Sequence, residues 1–225
     1  MNRFNFPARS VILFDLDGTL TDPRIGITNS VAYALKRFGI PVENPHETLA
    51  PFIGPPLTES FQTYYGLTPE QARLAVGYYR EYFVPAGMFE NDVYPGIPEA
   101  LERLQQAGRT LCVATSKPEV YARRILEHFS LNTYFEAVCG ATLDESRVRK
   151  ADVIAYALNT LNTNADQAVM VGDRLHDAEG AHACGVPVIG VTYGYGSREE
   201  LTTAGADALA DRVPDVVHIL LGRRG

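Results

Sequence analysis

The stretch Val11-Ile-Leu-Phe-Asp15-Leu-Asp17-Gly-Thr-Leu-Thr21 runs four apolar residues straight into two acids one residue apart. A short unbroken apolar run followed by a glycine turn reads as a strand buried on both faces, the kind found in parallel sheets. Carboxylates this close repel, and each favours the protonated form of the other. A strand that ends in them needs a chemical reason to do so. Far down the chain, Val169-Met-Val-Gly172-Asp173-Arg-Leu-His-Asp177 repeats the pattern of an apolar run opening into acids.

Buried parallel strands are predicted at 11–16, 110–115, 137–140, 168–172 and 187–192, with helical periodicity at 97–107, 119–129 and 151–161. Strands alternating with helices build βαβ units, so the expected fold is α/β, a doubly wound, mostly parallel Rossmann-like sheet. Residues 22–90 break the alternation. They hold no strand run, while Ile27, Val31, Ala34, Leu35 and Phe38 fall on one helical face, and further helices fit 57–65 and 69–83. The expected organisation is a core domain of residues 1–21 and 91–225, with an all-helical cap of residues 22–90 inserted as a lid. Hinges are expected at 19–22 and 88–91.

With 225 residues and 46% hydrophobic content, the chain has ample material for a core. A net charge of −7 argues against nucleic-acid polymers and anionic membranes as partners and favours a small soluble substrate. Three cysteines in apolar or small-residue surroundings read as reduced thiols. No run has signal-peptide or membrane-span length, so a cytoplasmic protein, monomer or homodimer, is expected.

In an open parallel sheet the ligand crevice lies at the carboxyl ends of the strands, beside the switch point. Four pieces of sequence place polar groups there: Asp15 with Asp17, Thr115 with Ser116, Lys150, and Asp173 with Asp177. One strand-end acid alone is as often a helix N-cap as a catalytic group, but an ordered set of four points to a site. Acids gathered in a partly dry cleft require a counter-ion, and oxygen ligands without cysteine pairs or spaced histidines favour Mg²⁺. Phosphate donors are expected from the backbone opened by Gly18, from Thr115 and from Lys150.

Ser116-Lys-Pro-Glu119 fits a capping box, which assigns Ser116 to the next helix and leaves Thr115 for phosphate. Lys150 is preferred to Arg147 because it directly precedes a helix. Lys117 faces either cleft or solvent. His176 reads as a surface residue, and Tyr64, Tyr65, Tyr78, Tyr79, Tyr82 and Phe83 as cap core.

Taken in order, Asp15-Leu-Asp17-Gly-Thr-Leu-Thr, Val113-Ala-Thr115-Ser, Lys150 and Gly172-Asp173-x-x-x-Asp177 resemble the four motifs of the haloacid dehalogenase superfamily over nearly the whole chain. Its phosphoglycolate phosphatase-like branch, with a small helical cap, is the nearest match. The last motif and Tyr193-Gly-Tyr-Gly-Ser197 also resemble relatives known as nucleotidases. The resemblance implies that Asp15 is the nucleophile of an aspartyl-phosphate mechanism and Asp17 the acid and base. It also implies that Mg²⁺ is held by Asp15, the Asp17 carbonyl and Asp173, with Asp177 acting through a water. In capped relatives the turn at Gly54-Pro55 helps choose the substrate, and Arg24 and Lys117 are further candidates for that task. The expected activity is hydrolysis of a small phosphorylated metabolite such as phosphoglycolate. The alternatives are a 5'-nucleotidase, a β-phosphoglucomutase-like phosphosugar mutase, or a catalytically silent binding or regulatory protein on the same fold.

Overall fold

A computed structural model describes residues 4–144 and 146–222. The strands are β1 Val11–Phe14, β2 Thr21–Asp22, β3 Asp92–Val93, β4 Thr110–Pro118, β5 Ala137–Ala141, β6 Ala168–Gly172, β7 Val188–Val191 and β8 Ala208–Ala210. The helices are α1 Arg24–Arg37, α2 Pro45–Thr48, α3 Leu57–Tyr65, α4 Pro69–Phe83, α5 Ile97–Gln106, α6 Glu119–His128, α7 Lys150–Thr160, α8 Leu175–Ala183, α9 Arg198–Thr203 and α10 Val213–Leu221. Contacts divide the chain into two compact units, residues 1–21 with 93–225 and residues 22–92.

The first unit is built on a six-stranded sheet in the order β5-β4-β1-β6-β7-β8, with every recorded pairing parallel. This is the expected α/β core. Strand β1 is central: Val11 lies opposite both Thr110 and Ala168, and Phe14 opposite both Val113 and Val171. The chain steps from β1 to β4 and β5 on one side and then crosses to β6 on the other, so the switch point flanks the end of β1. Every residue of β1 and β6 is buried, which explains their unbroken apolar character. Strand β1 ends at Phe14, two residues short of the expectation, so Asp15 lies just beyond the strand rather than within it.

The second unit is helical, with α1 packed on α4. Tyr79 and Phe83 are buried and stack at 5.0 Å, and Phe52 meets Phe61 edge-on at 5.1 Å. Tyr64 departs from the expected core role: it is 51% exposed. Helix α4 starts on a capping box, in which Thr68 accepts from the Gln71 N–H and the Gln71 side chain accepts from the Thr68 N–H. The two-residue strands β2 and β3, at the crossings between units, pair with each other.

One expectation is corrected here. Ser116 does not cap α6: β4 stays extended through Pro118, the helix begins at Glu119, and no side chain caps it. The proline ring disfavours helical backbone at Lys117, so the helix cannot start early enough for Ser116 to stand at its end. Strand β8 and helices α8, α9 and α10 lie outside the segments read from periodicity. Among the described residues no helix is long and apolar enough to cross a membrane.

Candidate active site

Asp15 leaves β1 with its N–H still in the ladder, donating to the Val171 carbonyl at 2.9 Å. Its Oδ1 accepts the Leu16 N–H at 2.8 Å and lies 2.9 Å from Lys150 Nζ. Lys150 is the first residue of α7 and is nearly buried, with 4% of its side chain exposed. The ammonium spans Asp15 and Asp177, 2.8 Å from Asp177 Oδ1, and donates to the Ala114 carbonyl at 3.1 Å. Burial alone would lower the lysine pKa, but the two carboxylates outweigh it and raise it, so the side chain is a fixed cation.

Asp173 follows β6 directly, and Asp177 sits in the first turn of α8, where its Oδ2 accepts the Arg174 N–H at 3.0 Å. Both acids are 1% exposed. One carboxylate oxygen from each of Asp15, Asp173 and Asp177 lies within 4.8 Å of the others. Burial, reinforced by Asp177 and Asp15, pushes the Asp173 carboxyl well above the usual range. Burial also raises Asp177, against the pull of Lys150. Three clustered oxygen donors with no thiolate or imidazole suit a hard divalent cation, and one lysine cannot balance three acids. The donor set therefore fits Mg²⁺.

Those raised values have a consequence for stability. A carboxyl whose folded pKa lies above its unfolded value binds more protons when folded. Its contribution is present at low pH and is lost as pH rises through the folded value. In EDTA, the stability that Asp173 and Asp177 contribute therefore falls as pH rises above the ordinary carboxylate range, so MgCl₂ is expected to raise the melting temperature more at pH 8 than at pH 5. Asp173→Asn should flatten that difference in thermal melts. Equal MgCl₂ shifts at both pH values would contradict the assignment.

Asp17 faces a different partner. Lys117 Nζ lies 2.5 Å from its Oδ2, with side-chain exposures of 6% and 14%, while Asp17 Oδ1 is buried without a hydrogen bond. Burial nevertheless dominates and raises the Asp17 carboxyl above the ordinary value. Asp15 and Asp17, one residue apart, thus occupy distinct environments, one on the buried Lys150 and one on Lys117. The sequence alone allows Lys117 either cleft or solvent, and the structure sets it on Asp17. The signal was present: in an extended strand Thr115 and Lys117, two residues apart, share a face.

Thr115 is buried, and its Oγ1 accepts the Lys117 N–H at 3.2 Å, which leaves its hydroxyl proton to be donated. Gly18 contributes differently from the donor role expected of it. Its N–H is spent on the Thr21 carbonyl at 2.7 Å. With φ at +82°, and with the position of a Cβ only 2.1 Å from Asp173 Oδ2, only glycine lets the turn lie against that carboxylate. Arg147 is held elsewhere, donating to the Gly140 carbonyl at 2.9 Å and lying over the Tyr156 ring. His176 is exposed. In the helical unit Arg24 and Gly54 are exposed, Pro55 is half-buried, and the Arg24 N–H donates to Asp22 Oδ1 at 3.1 Å.

Three buried carboxylates and a buried lysine gathered at the switch-point edge of a parallel α/β sheet have the place and the chemistry of a hydrolase site. The chain belongs to the haloacid dehalogenase-like hydrolases, whose family model matches residues 12–191. It is similar to a 5'-nucleotidase of Pseudomonas aeruginosa, 50% identical over 190 residues that cover 84% of this chain and 86% of that protein. It is also 45% identical over 187 residues to the tyrosine-protein kinase PtkA of Mycobacterium tuberculosis, covering 83% of this chain and 63% of the relative. Among solved structures, a predicted phosphatase from Clostridium acetobutylicum superposes with a TM-score of 0.92 at 49% identity, covering 96% of this chain and 99% of that one.

Proposed function

We propose that the protein is a Mg²⁺-dependent phosphatase that hydrolyses small phosphomonoesters through an aspartyl phosphate on Asp15. The observation that carries this reading is the convergence of Asp15, Asp173 and Asp177 around one point with Lys150 beside them. In the first step an Asp15 carboxylate oxygen attacks phosphorus, forming the O–P bond as the ester P–O bond breaks. Asp17, protonated, gives its proton to the leaving alkoxide. In the second step Asp17, now a carboxylate, takes a proton from the water that attacks the aspartyl phosphate, which frees phosphate and restores Asp15. A carboxyl raised by burial suits both halves of that cycle. Lys150 and the Thr115 hydroxyl hold the oxygens of the transferring group. Asp15, the Asp17 carbonyl and Asp173 would hold Mg²⁺, with Asp177 acting through a water, and the bound cation would supply positive charge to the transferring group. Substrate selection is assigned to Arg24, Gly54 and Pro55 of the helical unit and to Lys117 of the sheet unit.

The likeness to a 5'-nucleotidase supports nucleoside monophosphates as the leading substrates, ahead of phosphoglycolate. The test is a panel of nucleoside monophosphates, phosphoglycolate and hexose phosphates, read as free phosphate with MgCl₂ and with EDTA. Release from at least one class that EDTA abolishes is expected. Isomerised sugar phosphate without free phosphate would indicate a mutase, and no turnover of any compound would indicate a binding protein.

A further inference from the structure

The segment Tyr193-Gly-Tyr-Gly-Ser197, beyond β7, has no part in the scheme above, yet it closes on Asp173 from several directions. We propose that it is a positioning clamp for the cation site, holding the Asp173 carboxylate where it joins Asp15 and Asp177, so that divalent-cation affinity depends on it. The inference rests on the Mg²⁺ dependence proposed above.

The clamp touches Asp173 through backbone. The Tyr195 N–H donates to Asp173 Oδ2 at 2.7 Å, a charge-assisted bond that fixes one carboxylate oxygen. Gly196 passes so near that a Cβ there would stand 1.9 Å from the Asp173 carbonyl oxygen. At Gly194 a Cβ would meet the Gly18 carbonyl oxygen at 2.3 Å and Asp173 Oδ2 at 2.5 Å. Neither glycine has a positive φ, so backbone conformation does not demand it; space does. The two glycines bring main chain to van der Waals distance of the acid on both sides.

The ends of the segment are anchored to elements that carry the other site residues. The Tyr193 hydroxyl donates to the Thr19 carbonyl at 3.1 Å, in the turn after Asp17, and the Tyr193 ring meets Tyr94 at 5.1 Å. At the other end Ser197 caps α9, accepting the Glu200 N–H at 3.0 Å. Glu200 Oε1 in turn accepts the Leu175 N–H and faces Arg174 Nε, both at 2.9 Å, at the start of the helix that carries Asp177. One short segment thereby ties the first acidic turn, Asp173 and the Asp177 helix together. Groups that orient a metal ligand in this way are typically worth about 10- to 100-fold in metal affinity.

The experiment titrates MgCl₂ into the metal-free 225-residue protein by calorimetry, for wild type, Gly196→Ala and Tyr193→Phe, with kcat measured in parallel at saturating MgCl₂. Gly196→Ala is expected to weaken Mg²⁺ binding about tenfold or more, with kcat at saturation within about threefold of wild type. Tyr193→Phe loses one hydrogen bond and keeps its packing, and should weaken binding about threefold. Tyr193→Phe alone decides the matter if Gly196→Ala does not fold. Variants that bind Mg²⁺ within error of wild type, or that lose kcat at saturation while keeping affinity, overturn the clamp and leave the phosphatase reading standing. A wild type that shows no Mg²⁺ binding overturns both.

Discussion

Asp15→Asn is expected to lower phosphate release by at least about a thousandfold on every substrate the wild type accepts, because an amide cannot form the acyl phosphate. The substitution is isosteric and the neighbouring hydrogen bond from the Leu16 N–H needs only an oxygen acceptor, so the fold should persist by circular dichroism. Asp17→Asn should cost less, about a hundredfold, since it removes proton transfer and leaves the attacking carboxylate in place. The two variants therefore differ in kind as well as degree. Chemical trapping of phosphate on the protein is expected with Asp17→Asn and absent with Asp15→Asn. Phosphate release by Asp15→Asn within tenfold of wild type would exclude this residue as nucleophile and place the covalent chemistry elsewhere.

Lys150→Met should produce the largest stability effect. The ammonium is buried between Asp15 and Asp177, with a third acid, Asp173, in the same cluster. Removing one partner from a buried ionic cluster leaves uncompensated charge, a loss of about 3–5 kcal/mol. The sign with pH follows from the raised lysine pKa. The stabilisation is present throughout the range below the unfolded lysine value and is lost only at strongly alkaline pH. In the variant, the uncompensated charge that burial disfavours on Asp173 and Asp177 grows as pH rises, so the deficit in urea unfolding with EDTA should be larger at pH 8 than at pH 5. MgCl₂ should restore part of the loss by supplying the missing positive charge. A variant as stable as wild type in EDTA at pH 8 would show that the lysine does not carry the electrostatic balance of the cluster.

Much of this arrangement is legible from the chain alone, for reasons of local chemistry. Unbroken apolar runs such as Val11-Ile-Leu-Phe and Ala168-Val-Met-Val can be satisfied only by burial on both faces, which is why the parallel sheet could be anticipated. The acids that follow those runs are confined to the strand ends, because an unpaired carboxylate cannot stay inside the sheet. Lys150 was identifiable because a helix starts there. Shorter or less periodic pieces, β8 with its three residues among them, carried too little pattern to be seen.

What the tertiary structure alone decided was partnership. Sequence offers no distance between Asp17 and Lys117, or between Asp173 and the Tyr195 N–H, because each contact depends on how strands and loops far apart in the chain are brought to one edge. It likewise allowed Ser116 a capping role that the extended backbone before Pro118 removed. Residue type and spacing are local properties, fixed by propensity and by which side chains water rejects. The choice of counter-charge for each acid is a long-range property, set by the order of strands in the sheet and the close approach that Gly18, Gly194 and Gly196 permit.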